Sequence, residues 1–265
     1  MYRYLKVLRM IIWQFRGYAP QPVTPRAVYR WLKQFPTPVR RSLLLLLQYI
    51  VFISEIEAKA SLVKLNQRIV DRLRGDGIGY DRIIYVAIDK AASSSHIMLG
   101  ILRDAINLEK GKRAYLIDSG NIKELQETTA RLGKGAIIYV DDFSGTGKQF
   151  RRSRDWAAQY FTGSFSEFFI ASAMCEEAIE RIQEVGVEPL AGLIHTRGCR
   201  PLHQDCAVLD PGTKQTVIQI CQQIHPRSGL GFVSIAARMC TTHSRVMCTT
   251  HRRLDVYHLA SVAGC

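Results

Sequence analysis

The sequence predicts an α/β fold: a parallel, doubly wound sheet of about five strands preceded by an α-helical segment. Three observations carry this. From residue 83 onward short apolar runs alternate with helical stretches of roughly ten to fifteen residues, the pattern of strands joined by helical crossovers. One run, Ile137-Ile138-Tyr139-Val140, is apolar at every position, as a strand buried on both faces requires. The change of pattern falls at Gly75-Asp76-Gly77-Ile78-Gly79, a flexible joint, and before it only helical spacing occurs.

The elements follow in order. Residues 1–23 read as an N-terminal extension, with Leu5, Leu8, Ile12 and Phe15 on one helical face. A basic amphipathic helix of this kind suits a membrane or nucleic-acid surface, core packing or a non-native extension being the alternatives. Tyr18-Ala19-Pro20-Gln21-Pro22 is a linker. Thr24-Pro25 starts a helix, a hydroxyl cap followed by proline at the first helical position, and that helix stops before Pro36. A second helix follows Pro38 and carries the apolar run 43–53. Ser54 and Glu57 form a capping-box pattern opening a third helix to about residue 74, with Ile56, Leu62, Leu65, Ile69 and Leu73 inward. Residues 24–75 are thus a helical segment packing on the core, its Trp31 and leucine-rich face covering the sheet or a partner. The α/β domain spans 76–232. Its strands are expected at 83–88, 114–117, 137–140, 167–173 and 190–195, and its helices at 95–108, before 132, at 149–160, 175–185 and 214–224.

Residues 233–265 are an atypical tail, either poorly ordered or out of frame. Residues 239–246 nearly repeat as 247–254. Cys240, His243, Cys248 and His251 have the look of zinc ligands, but structural zinc sites use a longer spacer between the pairs. His195, Cys199, His203 and Cys206 form a second cluster without knuckle spacing, and Arg197 and Arg200 beside them suit a ligand phosphate or a lid contact better.

The totals narrow the classes. With 265 residues and 47% hydrophobic content the chain is long enough and apolar enough for a core, and a disordered chain is excluded. A net charge of +13 points to an acidic partner, whether phosphorylated ligand, nucleic acid or acidic protein, or to a basic surface with none. Seven cysteines without a compact framework or signal segment imply reduced thiols and a cytoplasmic setting. The run 43–53 contains Gln48 and is too short to span a bilayer.

The chemistry concentrates at residues 137–149. Asp141 and Asp142 follow the apolar run, and Phe143-Ser144-Gly145-Thr146-Gly147-Lys148-Gln149 turns into a helix. Ligands of open α/β sheets bind at the carboxyl ends of strands, and a glycine turn at a helix start offers backbone N–H groups to a phosphate. The acidic pair would repel that phosphate and suits hydroxyls or a metal ion. A sugar phosphate satisfies both. The nucleotide P-loop pattern fails twice, at Asp142 and at Gln149. An ordinary strand-turn-helix with solvated carboxylates is the plain alternative. Asp89-Lys90-Ala91-Ala92-Ser93-Ser94-Ser95-His96 is a second candidate anion site, or simple helix capping.

The sequence from Val140 to Gln149 resembles the phosphoribosyl-pyrophosphate loop of type I phosphoribosyltransferases. That resemblance implies that Asp141 and Asp142 hold the ribose hydroxyls. It implies that Ser144, Gly145, Thr146, Gly147, Lys148 and Gln149 hold the 5′-phosphate, and that Lys90, Ser93, Ser94 and Ser95 grip pyrophosphate. Asp141, Asp142 and Lys90 would be the catalytic set, and magnesium would bind through the ligand or through Asp141 and Asp142. Ser144, Gly145 and Gln149 depart from the usual residues at their positions. More widely, residues 24–232 resemble phosphoribosyltransferase-like proteins of bacterial conflict systems, including retron-associated effectors. Trp31-Leu32-Lys33-Gln34-Phe35, Asp89-Lys90, the central motif and Arg200-Pro201-Leu202-His203 carry this, and the likeness ends at Gly229-Leu230-Gly231-Phe232. It implies a role in antiphage defence, with a reverse transcriptase or another defence protein as partner. The reaction implied is phosphoribosyl transfer with pyrophosphate leaving. The short segment 109–113 shows no long catalytic lid, so the acceptor is not indicated. A ribose-phosphate or nucleotide sensor without turnover, and a nucleic-acid-associated module, are the rival readings.

Overall fold

Strands β1 (Ile83–Ala87), β2 (Tyr115–Asp118), β3 (Lys134–Ser144), β4 (Ser164–Cys175) and β5 (Glu188–His195) form one sheet in the order β2-β1-β3-β4-β5. Every neighbouring pair is parallel. The structure is a computed structural model that describes residues 2–15, 23–33, 35–47, 51, 53–88, 94–107, 115–118, 121–200 and 202–224. The chain divides into two units, residues 55–195 and residues 1–54 with those from 196 onward.

In the sheet unit, all five residues of β1 are buried, as are Ile137 to Val140 of β3, because helices cover both faces. α4 (Glu55–Gly75) and α5 (Ser94–Asn107) lie on one face, where Leu62, Ile69 and Leu102 meet Tyr85, Ile138, Val140 and Ile170. α6 (Ile122–Leu132), α7 (Lys148–Ala158) and α8 (Glu176–Gln183) supply Leu125, Phe150, Ala178 and Ile182 to the other, against Ile84, Ile137, Tyr139 and Phe169. α4 sits so close to the sheet that a Cβ on Gly192 would come 1.8 Å from Ser61 Oγ, which excludes a side chain there. The buried Tyr85 hydroxyl donates to Asn66 Oδ1 at 2.8 Å, satisfying both polar groups across that interface.

The chain moves from β1 outward to β2 through α5, then back past β1 to β3 through α6 on the opposite face. A constant right-handed crossover demands that change of face when the direction reverses. The crevice between the carboxyl ends of β1 and β3 is therefore the switch point of a 2-1-3-4-5 sheet, the ligand-binding place of this topology.

Several boundaries differ from the sequence reading. β3 continues through Asp141 and Asp142 to Ser144, and β4 begins at Ser164, since backbone pairing from Lys134↔Ser164 to Ser144↔Met174 does not need apolar side chains. α4 buries Ala58, Leu62, Leu65, Asn66, Ile69, Val70 and Leu73, while Ile56 is 81% exposed. Ile56 stands about 240° from Leu62 around the helix, off the buried stripe.

In the other unit, α1 (Tyr2–Gln14), α2 (Pro25–Leu32), α3 (Thr37–Leu46) and α9 (Pro211–Ile224) surround one core. Thr24 caps α2, its hydroxyl accepting the Ala27 N–H at 3.2 Å. Trp31 packs edge-on to Phe35, centroids 5.2 Å apart, among Val28, Leu43, Leu47 and Val217, so it is a core residue of this unit. Among the described residues of α1 Ile11 is buried and Leu8 packs on the same core, as does Phe15 just beyond the helix, while Leu5 is 52% exposed, so Ile11 takes the inward place expected for Leu5. α3 ends at Leu46 instead of carrying the whole run 43–53. Among the described residues no helix is long and apolar enough to cross a membrane.

Candidate ribose-phosphate site

Side chains alternate along β3. Ile138 and Val140 face α4 and α5, and Ile137 and Tyr139 face α6 to α8. Asp142 continues the first row and Asp141 the second. Adjacent in sequence, the two acids therefore flank the strand end from opposite faces.

Asp142 is only 8% exposed. Its Oδ1 accepts the Phe143 N–H at 2.7 Å and the Ser94 hydroxyl at 3.1 Å. The Ser94 bond ties the first turn of α5 to the end of β3 across the switch point. Asp141 Oδ1 accepts the Asp142 N–H at 2.9 Å. Burial pushes the Asp142 carboxyl above the usual carboxylate range, while hydrogen bonds involving Asp141, Phe143 and Ser94 pull the other way. Ser172 lies on β4 between the residues paired with Asp141 and Phe143, and its buried hydroxyl has no partner among the described residues.

The turn follows at once. Ser144 is buried, and Gly147 has φ 68° and precedes α7. A Cβ on Gly147 would stand 3.2 Å from both Cα and O of Ala178 in α8, so only glycine gives both the left-handed backbone and the fit. The backbone N–H groups of Gly145, Thr146, Gly147 and Lys148 have no acceptor among the described residues. The first turn of α7 carries no acidic residue. This is a cradle of donors at the positive end of a helix. Lys148 and Gln149 are exposed at its rim. From α8, Arg181 Nη1 donates to the Thr146 carbonyl.

The structure brings Asp141, Asp142, Ser94 and residues 144–149 to one end of the sheet. Ser95 is fully buried in the first turn of α5. Lys90 and Ser93 lie outside the described residues, as do Cys240, His243, Cys248 and His251. Among the described residues no three His, Cys, Asp or Glu side chains gather to hold a metal. The His203 ring nitrogen is 3.4 Å from Asp205, and the Cys199 sulfur accepts from Thr196.

Sequence reading missed Arg181, Ser172 and the Ser94–Asp142 bond. Arg181 sits 35 residues from Thr146, and only the packing of α8 on the turn brings them together. No local signal marks it.

Residues 28–243 match the PRTase-CE family, a phosphoribosyltransferase-like domain family. The match runs beyond residue 232 into the first copy of the tail repeat. No curated protein matches the chain. A solved structure, that of the AQ2163 protein from Aquifex aeolicus, is similar with a TM-score of 0.31 and 15% identity, over 44% of this chain and 56% of that one.

Proposed function

The chain belongs to the PRTase-CE family, and from that premise we propose that the end of β3 binds phosphoribosyl pyrophosphate, or a related ribose phosphate, and that the protein transfers phosphoribose. One observation carries the reading. An acidic pair and a turn whose backbone N–H groups have no acceptor among the described residues stand side by side at the switch point of the sheet. Hydroxyls donate to the acids, and a terminal phosphate accepts from the turn.

Asp141 and Asp142 offer hard carboxylate oxygens, the donors magnesium takes alongside substrate phosphates, so these residues fit that ion. Magnesium would neutralise charge on the leaving pyrophosphate. Asp141 and Asp142 orient the ribose and face the positive charge that grows on it as the bond to pyrophosphate breaks. The Ser94 hydroxyl fixes the Asp142 carboxylate, and Lys90 and the neighbouring serines attend the leaving group. A place in bacterial defence, beside a reverse transcriptase or another defence protein, rests on the family resemblance of the motifs.

Titration calorimetry with phosphoribosyl pyrophosphate and magnesium tests the site. Binding by the wild type and its loss in Asp141→Asn and Asp142→Asn are expected. A wild type that does not bind, or variants that bind equally, overturns the reading. Pyrophosphate release measured with bases, nucleotides and protein acceptors then separates transfer from sensing.

A further inference from the structure

Arg181 deepens that site, and the inference rests on the ribose-phosphate reading above. Its guanidinium reaches the turn from α8, outside the motif, and hydrogen-bonds the carbonyl of Thr146. No carboxylate lies within ion-pair range of Arg181 among the described residues, although Arg151 and Arg154 on α7 are both paired with acids.

The consequence follows from peptide geometry. A trans peptide holds its C=O and N–H on opposite sides of one plane. Fixing the Thr146 carbonyl toward α8 aims the Gly147 N–H the other way, away from Arg181. Gly147 has little room on its α8 side, because even a Cβ added there would come 3.2 Å from the Cα and O of Ala178. It is a buried residue, and its N–H has no acceptor among the described residues. A buried, unsatisfied donor is costly unless a ligand completes it. The positive charge on Arg181 also polarises the peptide and strengthens that N–H as a donor.

We propose that Arg181 is the positioning residue of the phosphate cradle: it sets the Thr146–Gly147 peptide so that the Gly147 N–H meets a terminal phosphomonoester.

The test uses the full chain, the probes ribose 5-phosphate and magnesium pyrophosphate, and the variants Arg181→Gln and Arg181→Lys. Arg181→Gln weakens ribose 5-phosphate by about 10- to 100-fold, the range of one charged hydrogen bond. Magnesium pyrophosphate binding stays within about twofold, since its grip lies at the start of α5. Arg181→Lys restores part of the loss, because an ammonium also donates to the Thr146 carbonyl. Equal binding of ribose 5-phosphate by wild type and Arg181→Gln overturns the role of Arg181 alone. So does a parallel loss of both probes with a lowered melting temperature, the mark of a merely structural residue. A wild type that binds neither ribose 5-phosphate nor phosphoribosyl pyrophosphate overturns the site itself, and this inference with it.

Discussion

Two polar clusters sit a few residues apart on β3 and β4, built from similar groups to opposite ends. In the first, Tyr139 donates to Glu167 Oε2 at 2.7 Å, and Arg154 holds both oxygens of the same carboxylate, through Nε at 3.0 Å and through Nη2. Burial and the carboxylate beside it push the Tyr139 hydroxyl well above its usual range, and Glu167 holds the Arg154 guanidinium above its own. Donors and acceptors answer each other, and the result pins α7 to the sheet. In the second, Asp141 and Asp142 present acceptors on one side, and residues 145–148 present N–H groups that meet no acceptor among the described residues on the other. A closed network holds a fold. An open one is complete only with a ligand.

The sharpest break of that comparison is the double variant Asp141→Asn, Asp142→Asn. It is expected to weaken phosphoribosyl pyrophosphate binding by about 100-fold or more, as two hydrogen bonds to charged acceptors are lost. The melting temperature is expected to hold, because amide oxygens still accept the Asp142 and Phe143 N–H groups. A collapse in stability would place these acids with the closed network. Glu167→Ala is the converse. It strands a mostly buried guanidinium, so a loss of about 2 to 3 kcal/mol is expected, seen as a melting temperature lower by about 5 to 10 °C. Ligand affinity measured on the folded variant is expected to stay within about threefold. Gly147→Ala touches both, costing about 1 to 2 kcal/mol for a left-handed backbone and displacing the turn, so calorimetry and thermal melts should both register it.

The sheet was legible because apolar runs and helical periods alternate so cleanly, and the acidic pair because it directly follows the most apolar run. Strand ends were not. The ladder between β3 and β4 is made by backbone, which leaves no mark in side-chain pattern, so Asp141 and Asp142 read as the end of the strand although the ladder runs on to Ser144. Trp31 pointed to a buried face, but a face does not say which core it enters. Arg181 was silent for the same reason. In sequence it is one basic residue on an amphipathic helix, and its meaning comes only from the crossover that sets α8 against Gly147.

The smallest expected effect sharpens the comparison most finely. Burial raises the Asp142 pKa in the folded chain above its unfolded value of about 3.9. Between those two values the folded state keeps a proton that the unfolded state has released. Stability therefore falls as pH rises through that window, and the full cost stands above it. The side-chain amide of an Asp142→Asn variant keeps an oxygen for the Phe143 N–H and the Ser94 hydroxyl but never ionises. The variant is expected to melt at or slightly above the wild type at pH 7, with the two curves converging as pH falls toward about 4. Thermal melts across pH 4 to 8 without ligand read this directly. A wild type that is the more stable at pH 7, with an advantage lost on acidification, would mean that charge partners hold the Asp142 carboxylate in the free protein as Arg154 holds Glu167. The open site would then be closed before any ligand arrives.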